Sequence, residues 1–158
     1  MATLQLSNLD ARLTYLALQY HLARPGSELD PQTKQPAAEG LAQVAGVLEP
    51  QLDRAVATIE LSEHQRARLL TAIAGAINEL KTYPLLVEGG RTTVPAFEAA
   101  LRRLFPEVAD EPDEATQLAG HLLGLRRKLD QVRSAPAARQ RSAPARRRWW
   151  QLWRRGGG

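Results

Sequence analysis

The side chains able to move protons or hold metals are few and scattered. His21, His64 and His121 are the only imidazoles in the 158 residues, and there is no cysteine. A helical zinc motif of the HExxH type needs two histidines four apart, and none of these has such a partner. Each therefore reads as an ordinary histidine of a helix surface or core edge. Without cysteine there are no thiolate metal sites, no cysteine nucleophile and no disulfide framework, which is compatible with a reducing compartment. Carboxylates crowd together in "ADEPDEA", residues 109–115. There they suit the opening of a helix, whose dipole favours acids, better than a general acid and base pair. "VEGGRTT", residues 87–93, offers glycines, Arg91 and two threonines to an anion, but it lacks the lysine and spacing of a P-loop and reads as a Gly-Gly turn. The expectation is a non-enzyme with no catalytic group, metal or cofactor.

A more specific pattern is "ARRRWWQLWRR", residues 145–155, which holds all three tryptophans of the chain. On a helical wheel at about 100° per residue, Trp149, Trp150, Leu152 and Trp153 fall on one side, and Arg147, Arg148, Arg154 and Arg155 fall opposite with Gln151. Indole rings at an acyl boundary and guanidinium groups on lipid phosphate use this arrangement. Its composition resembles short Trp/Arg-rich membrane-active peptides over about ten residues, a likeness of type and not of family. Charge makes the same division. Residues 1–133 carry 14 Lys and Arg against 17 Asp and Glu, a balance of −3, whereas residues 134–158 carry seven Arg and no acid, a balance of +7. The basic pI therefore describes the C-terminal segment alone.

Two other occupants suit that segment. Arginine with tryptophan also grips single-stranded nucleic acid, through phosphate neutralisation and base stacking. Leu152 ranks lipid first, because leucine completes the apolar face and cannot stack. The tryptophans could instead fold back onto an apolar groove of the body.

The elements that would position this segment read as helices. Leu6, Leu9, Leu13, Leu16 and Tyr20 form a stripe that stops at Pro25-Gly26. Leu41, Val44, Leu48, Leu52, Val56 and Ile59 keep helical register through Pro50, which predicts a bent helix or two helices with Pro50 opening the second. Ser62 and Gln65 form a capping-box signature ahead of Leu69, Ile73, Ile77 and Leu80, and that helix is expected to end at Tyr83-Pro84. Residues 85–94 read as a loop or very short hairpin, and Thr92 or Thr93 as the cap of a helix carrying Phe97, Leu101, Leu104 and Phe105. Leu118, Leu122, Leu125, Leu129 and Val132 form a two-heptad seam, a candidate helix-helix interface better suited to packing inside a bundle than to self-association.

The predicted architecture is an all-α bundle of five or six helices over residues 1–133, a Pro/Ala/Arg-rich linker over 134–145 and an amphipathic segment over 146–158. The start "MATLQLSNLDARL" has no signal-peptide pattern, and no stretch approaches the roughly 18 apolar residues of a spanning helix. The leading functional expectation is a cytoplasmic adaptor or regulatory subunit, peripheral to the inner face of an anionic membrane. Arg146, Arg147, Arg148, Trp149, Trp150, Leu152, Trp153, Arg154 and Arg155 would bind the membrane, and the body would bind a protein partner. The alternative is a small nucleic-acid-binding subunit of a nucleoprotein assembly, and the seam also admits a homo-oligomer.

Overall fold

The computed structural model describes residues 1–134 except Pro31 and Ala38. Its first departure from the helical reading is at the N-terminus. "ATLQLS" alternates, so Leu4 and Leu6 face inward while Thr3, Gln5 and Ser7 face out, and Ala2–Ser7 forms strand β1. Leu6 belongs to this strand, and the helix stripe begins after it. The Ser7 hydroxyl accepts the Asp10 amide at 3.2 Å and caps α1, Asn8–Leu22.

The second stripe is divided in the same way. Leu41–Leu48 is helix α2, and Pro50 sits in a 3₁₀ turn, Glu49–Gln51. Beyond Leu52 the chain turns and Val56–Leu61 forms strand β2, antiparallel to β1 with Leu4 opposite Ile59. Val56 and Ile59 matched helical spacing by coincidence. In the strand, Ala57, Ile59 and Leu61 are buried and Val56 is exposed, and the β-branched run "VATI" favours the pleated conformation. The all-α expectation is corrected accordingly: the described residues are mostly helical, with one two-stranded sheet.

Helix α3, Glu63–Glu88, opens with the expected capping box: Ser62 Oγ accepts the Gln65 amide at 3.1 Å, and Gln65 Oε1 accepts the Ser62 amide at 3.0 Å. It does not stop at Pro84. Proline removes one N–H, but the helix continues one turn and closes on Gly89 and Gly90, where Gly90 takes a positive φ of 64°. Residues 85–88, expected in a loop or hairpin, are therefore helical. Helix α4, Pro95–Leu104, starts with proline in its first turn and has Val94 as its uncapped N-cap. Thr93, expected to cap it, donates to Glu79 Oε2 at 2.5 Å instead. A single turn, α5 (Glu107–Asp110), precedes α6, Glu114–Ser134.

One hydrophobic core joins these elements. At its centre is α1, whose Ala11, Leu13, Leu16, Ala17 and Leu18 are completely buried. Residues on several sides of this helix are apolar, which suits an element enclosed by others and not one lying on a surface. It is enclosed by α2, α3, α4 and α6, while α6 lies along α3. The approach of α1 to α3 depends on Gly75. A Cβ there would lie 2.1 Å from Tyr20 Cε1, and the Tyr20 ring is held edge-on to Phe97 with centroids 5.9 Å apart.

Gly75→Ala should therefore separate α1 from α3 and cost about 1–3 kcal/mol as overpacking does. Urea unfolding checks this: the midpoint should fall with the slope unchanged. A midpoint equal to wild type would mean that Tyr20 has another rotamer available to it.

Candidate functional site

Arg146, Arg147, Arg148, Trp149, Trp150, Leu152, Trp153, Arg154 and Arg155 lie outside the described residues. The seam lies within them. Leu118, Leu122, Leu125 and Leu129 are buried in the core, and Val132, at the end of α6, is 43% exposed. The seam leucines are thus occupied by the chain's own packing, largely against α3.

The histidines are separated. His121 is exposed on α6, whereas His21 joins a polar knot that sequence spacing alone did not suggest. Its centre is the Glu28 carboxylate, in the loop between α1 and α2. Glu28 Oε1 lies 3.0 Å from both His21 Nε2 and an Arg68 guanidinium nitrogen, and Oε2 accepts the Ala42 amide at 3.1 Å. Arg68 also donates to the carbonyls of Ser27 and Glu39. One carboxylate thereby ties together the end of α1, the open N-terminus of α2 and a flank of α3. Gly40, the N-cap of α2, leaves room for it: a Cβ there would meet Glu28 Oε2 at 2.2 Å. These are residues 7, 14 and 40 positions apart from Glu28, so the clue available in sequence was a bare glycine N-cap lacking a side-chain acceptor of its own.

The loop has a second fixed point at Asp30. Its Oδ1 accepts the amides of Gln32 and Thr33, both at 2.8 Å, which holds the carboxyl below the usual range, the Thr33 amide contributing most. A further cluster lies on the other side of α1. Tyr15 donates to Glu49 Oε1 at 2.8 Å, and Arg103 reaches the same oxygen at 3.4 Å with its guanidinium 5.4 Å from the Tyr15 ring centroid. Burial, then the bond to Glu49, push the phenol above its ordinary value of 10.0.

In both clusters the groups that face one another are bonded across elements. "VEGGRTT" likewise spends its amides on closing α3: Gly89, Gly90 and Arg91 donate to Leu85, Val87 and Leu86, the last at 2.7 Å. The carboxylates of "ADEPDEA" fall on α5, the following turn and the start of α6, with Asp110, Glu111 and Asp113 exposed. Among the described residues no group of three or more His, Asp or Glu is placed to hold a metal ion. No described helix is long and apolar enough to cross a membrane.

The described surface does contain a partly apolar groove of about 410 Å³ between α2 and β2. Val44, Val47, Ile59 and Met1 supply its apolar wall, and Glu60 is the charged residue among its lining. Val47 is 54% exposed and Met1 89% exposed. Met1 is shared with a second depression that Val132 of α6 also lines, so α6 ends beside the groove. Gln51 flanks the same strand, its amide donating to Thr58 O at 3.1 Å and accepting Thr58 N at 3.0 Å.

Two outcomes test this account. Glu28→Ala removes charge-assisted bonds worth about 1.5–3 kcal/mol each, and hydrogen exchange should show α2 losing protection before α3 does; uniform loss across the body would assign the carboxylate no special role. The raised Tyr15 pKa means that its contribution to stability is complete below pH 10 and is lost as pH rises through the higher folded value. Subtracting the ultraviolet titration of Tyr15→Phe from that of wild type isolates this phenol, whose midpoint should lie above 10 and move down in Glu49→Gln.

No family model matches the chain, and no curated protein or solved structure shows significant similarity to it.

Proposed function

We propose that the protein is a non-enzymatic adaptor or regulatory subunit attached peripherally to an anionic membrane surface through residues 146–158. Its helical body binds a protein partner. The observation that carries this reading is the opposition of Trp149, Trp150, Leu152 and Trp153 to the arginines on one helical wheel, at the end of a C-terminal stretch, residues 134–158, of charge +7 that follows a body of charge −3.

Magnitudes define what kind of attachment this is. Three indoles burying about 100 Å² each contribute roughly 7 kcal/mol, and each basic residue near an anionic leaflet adds at most about 1 kcal/mol. Ordering ten residues costs roughly 10 kcal/mol or more. The difference is a few kcal/mol, so attachment is reversible, weakened by salt and strengthened when two copies bind together. The packed body supports the division of labour, because its titratable clusters are engaged in holding elements together.

The full chain should sediment with anionic vesicles, and a chain stopped after Arg133 should not. Equal sedimentation of the two would end the anchor reading. Leu152→Ser retains every ring and charge, so it should weaken vesicle binding and leave single-stranded DNA binding almost untouched. The reverse order of losses would reassign the segment to nucleic acid.

A further inference from the structure

We propose that the groove between α2 and β2 is the docking site of the chain's own Trp/Arg segment, so that body and membrane compete for the same indoles. The inference deepens the membrane reading and rests on it for the competition, although docking itself can be measured without lipid.

Position is the first argument. Helix α6 ends at Ser134, and Val132, in its last turn, lines the depression that meets the groove at Met1. Trp149 lies fifteen residues beyond Ser134, a span of up to about 50 Å when extended. That exceeds about 14 Å, the radius of gyration expected for a domain of this size. The segment therefore reaches the groove without strain. A short tether of this kind gives an effective concentration in the millimolar range, so an intrinsic affinity only moderately tighter than that keeps most molecules docked.

Chemistry is the second. Val47 and Met1, both exposed in the described body, offer the indoles an apolar wall, behind which Val44 and Ile59 are buried. Glu60 supplies a carboxylate at the rim, with Glu63 in the adjoining depression. An apolar wall with a carboxylate at its rim complements a segment that places indoles on one face and guanidinium groups on the other. Arg66, which lines the adjoining depression with Glu63, donates to the Leu129 carbonyl at 3.4 Å and lies 4.0 Å from Glu63 Oε1. Glu63 offsets that charge, which leaves Glu60 as the carboxylate open to the incoming arginines.

Docking would make vesicle binding conditional. The apparent membrane affinity equals the intrinsic affinity multiplied by the undocked fraction, so a chain docked about nine times in ten binds about tenfold more weakly than a free one. An anionic surface, or a body partner that covers the groove, would release the segment.

The test uses the full chain and Val47→Asn, which puts an amide in the apolar wall without changing net charge at a half-exposed position, with circular dichroism to verify folding. All tryptophans lie in residues 149–153, so their emission reports this segment alone. In lipid-free buffer the wild-type emission should be blue-shifted and protected from acrylamide relative to the chain in concentrated urea. Val47→Asn should remove most of that protection and tighten binding to phosphatidylserine-rich vesicles, by up to about tenfold. Wild-type emission identical to that in urea overturns the proposal, as does protection that Val47→Asn leaves unchanged. Protection lost on dilution also overturns it, in favour of contact between copies. Protection that Val47→Asn relieves, with no vesicle binding by either protein, supports docking and ends the membrane reading. Vesicle binding without protection in buffer ends docking and leaves the anchor standing.

Discussion

Helix α1 has to be enclosed on all sides. Leu13, Leu16 and Leu18 point in different directions around one helix, and all three are completely buried. No single partner helix can cover such an element, because one helix buries only one stripe of another. Four helices and the two-stranded sheet are the covering this chain supplies. Strand β1 leads directly into α1 through Ser7, so the sheet cannot separate from the helix that it helps to cover.

Enclosure requires that the coverings be held in place, and the loop between α1 and α2 is where this is hardest. Sixteen residues lie between Ala23 and Gly40, and α2 begins without a side-chain cap. Glu28 supplies what the cap does not, reaching the Ala42 amide from within the loop while its other oxygen holds Arg68 of α3. Arg68 in turn gathers two loop carbonyls, so one ion pair satisfies polar groups from three elements. Asn8 does the equivalent at the turn before β2, donating to Leu52 and Arg54 carbonyls at 2.7 and 2.9 Å.

The helical majority of this fold was legible because caps and periodicity agree in it. Ser62 and Gln65 announced the start of α3, whereas its end at Gly89-Gly90 and the opening of α4 at Pro95 were missed, because Pro84 reads as a stop and Thr93 as a cap. Both strands were misread for one reason: six residues of alternation can also supply one or two points of a helical stripe, as Leu6 did for α1 and Val56 and Ile59 did for α2. Polarity at the intervening positions was the distinguishing information, since Thr3, Gln5, Thr58 and Glu60 all occupy the outward face. The polar knot at Glu28 was not legible at all, because its partners are brought together by the packing of α1 against α3. The Trp/Arg segment is the opposite case, a pattern complete within eleven residues that requires no tertiary neighbour to be recognised. The groove needed both kinds of information: Val47 and Glu60 are unremarkable in sequence until α2 and β2 lie side by side.

The two bonds from Gln51 to Thr58 carry a consequence for the solution behaviour of the chain. A strand at the margin of a sheet is a template, and its unspent N–H and C=O groups can recruit another strand from a neighbouring molecule. At Thr58 both groups are already taken by a carboxamide, which has the same donor and acceptor as a peptide unit but no chain to continue. Gln51 is itself held to α2 by a bond to the Val47 carbonyl at 2.8 Å, so it cannot easily be displaced. At Thr58 the side chain stands where the next strand would bond, in the way a terminator stands at the end of a polymer.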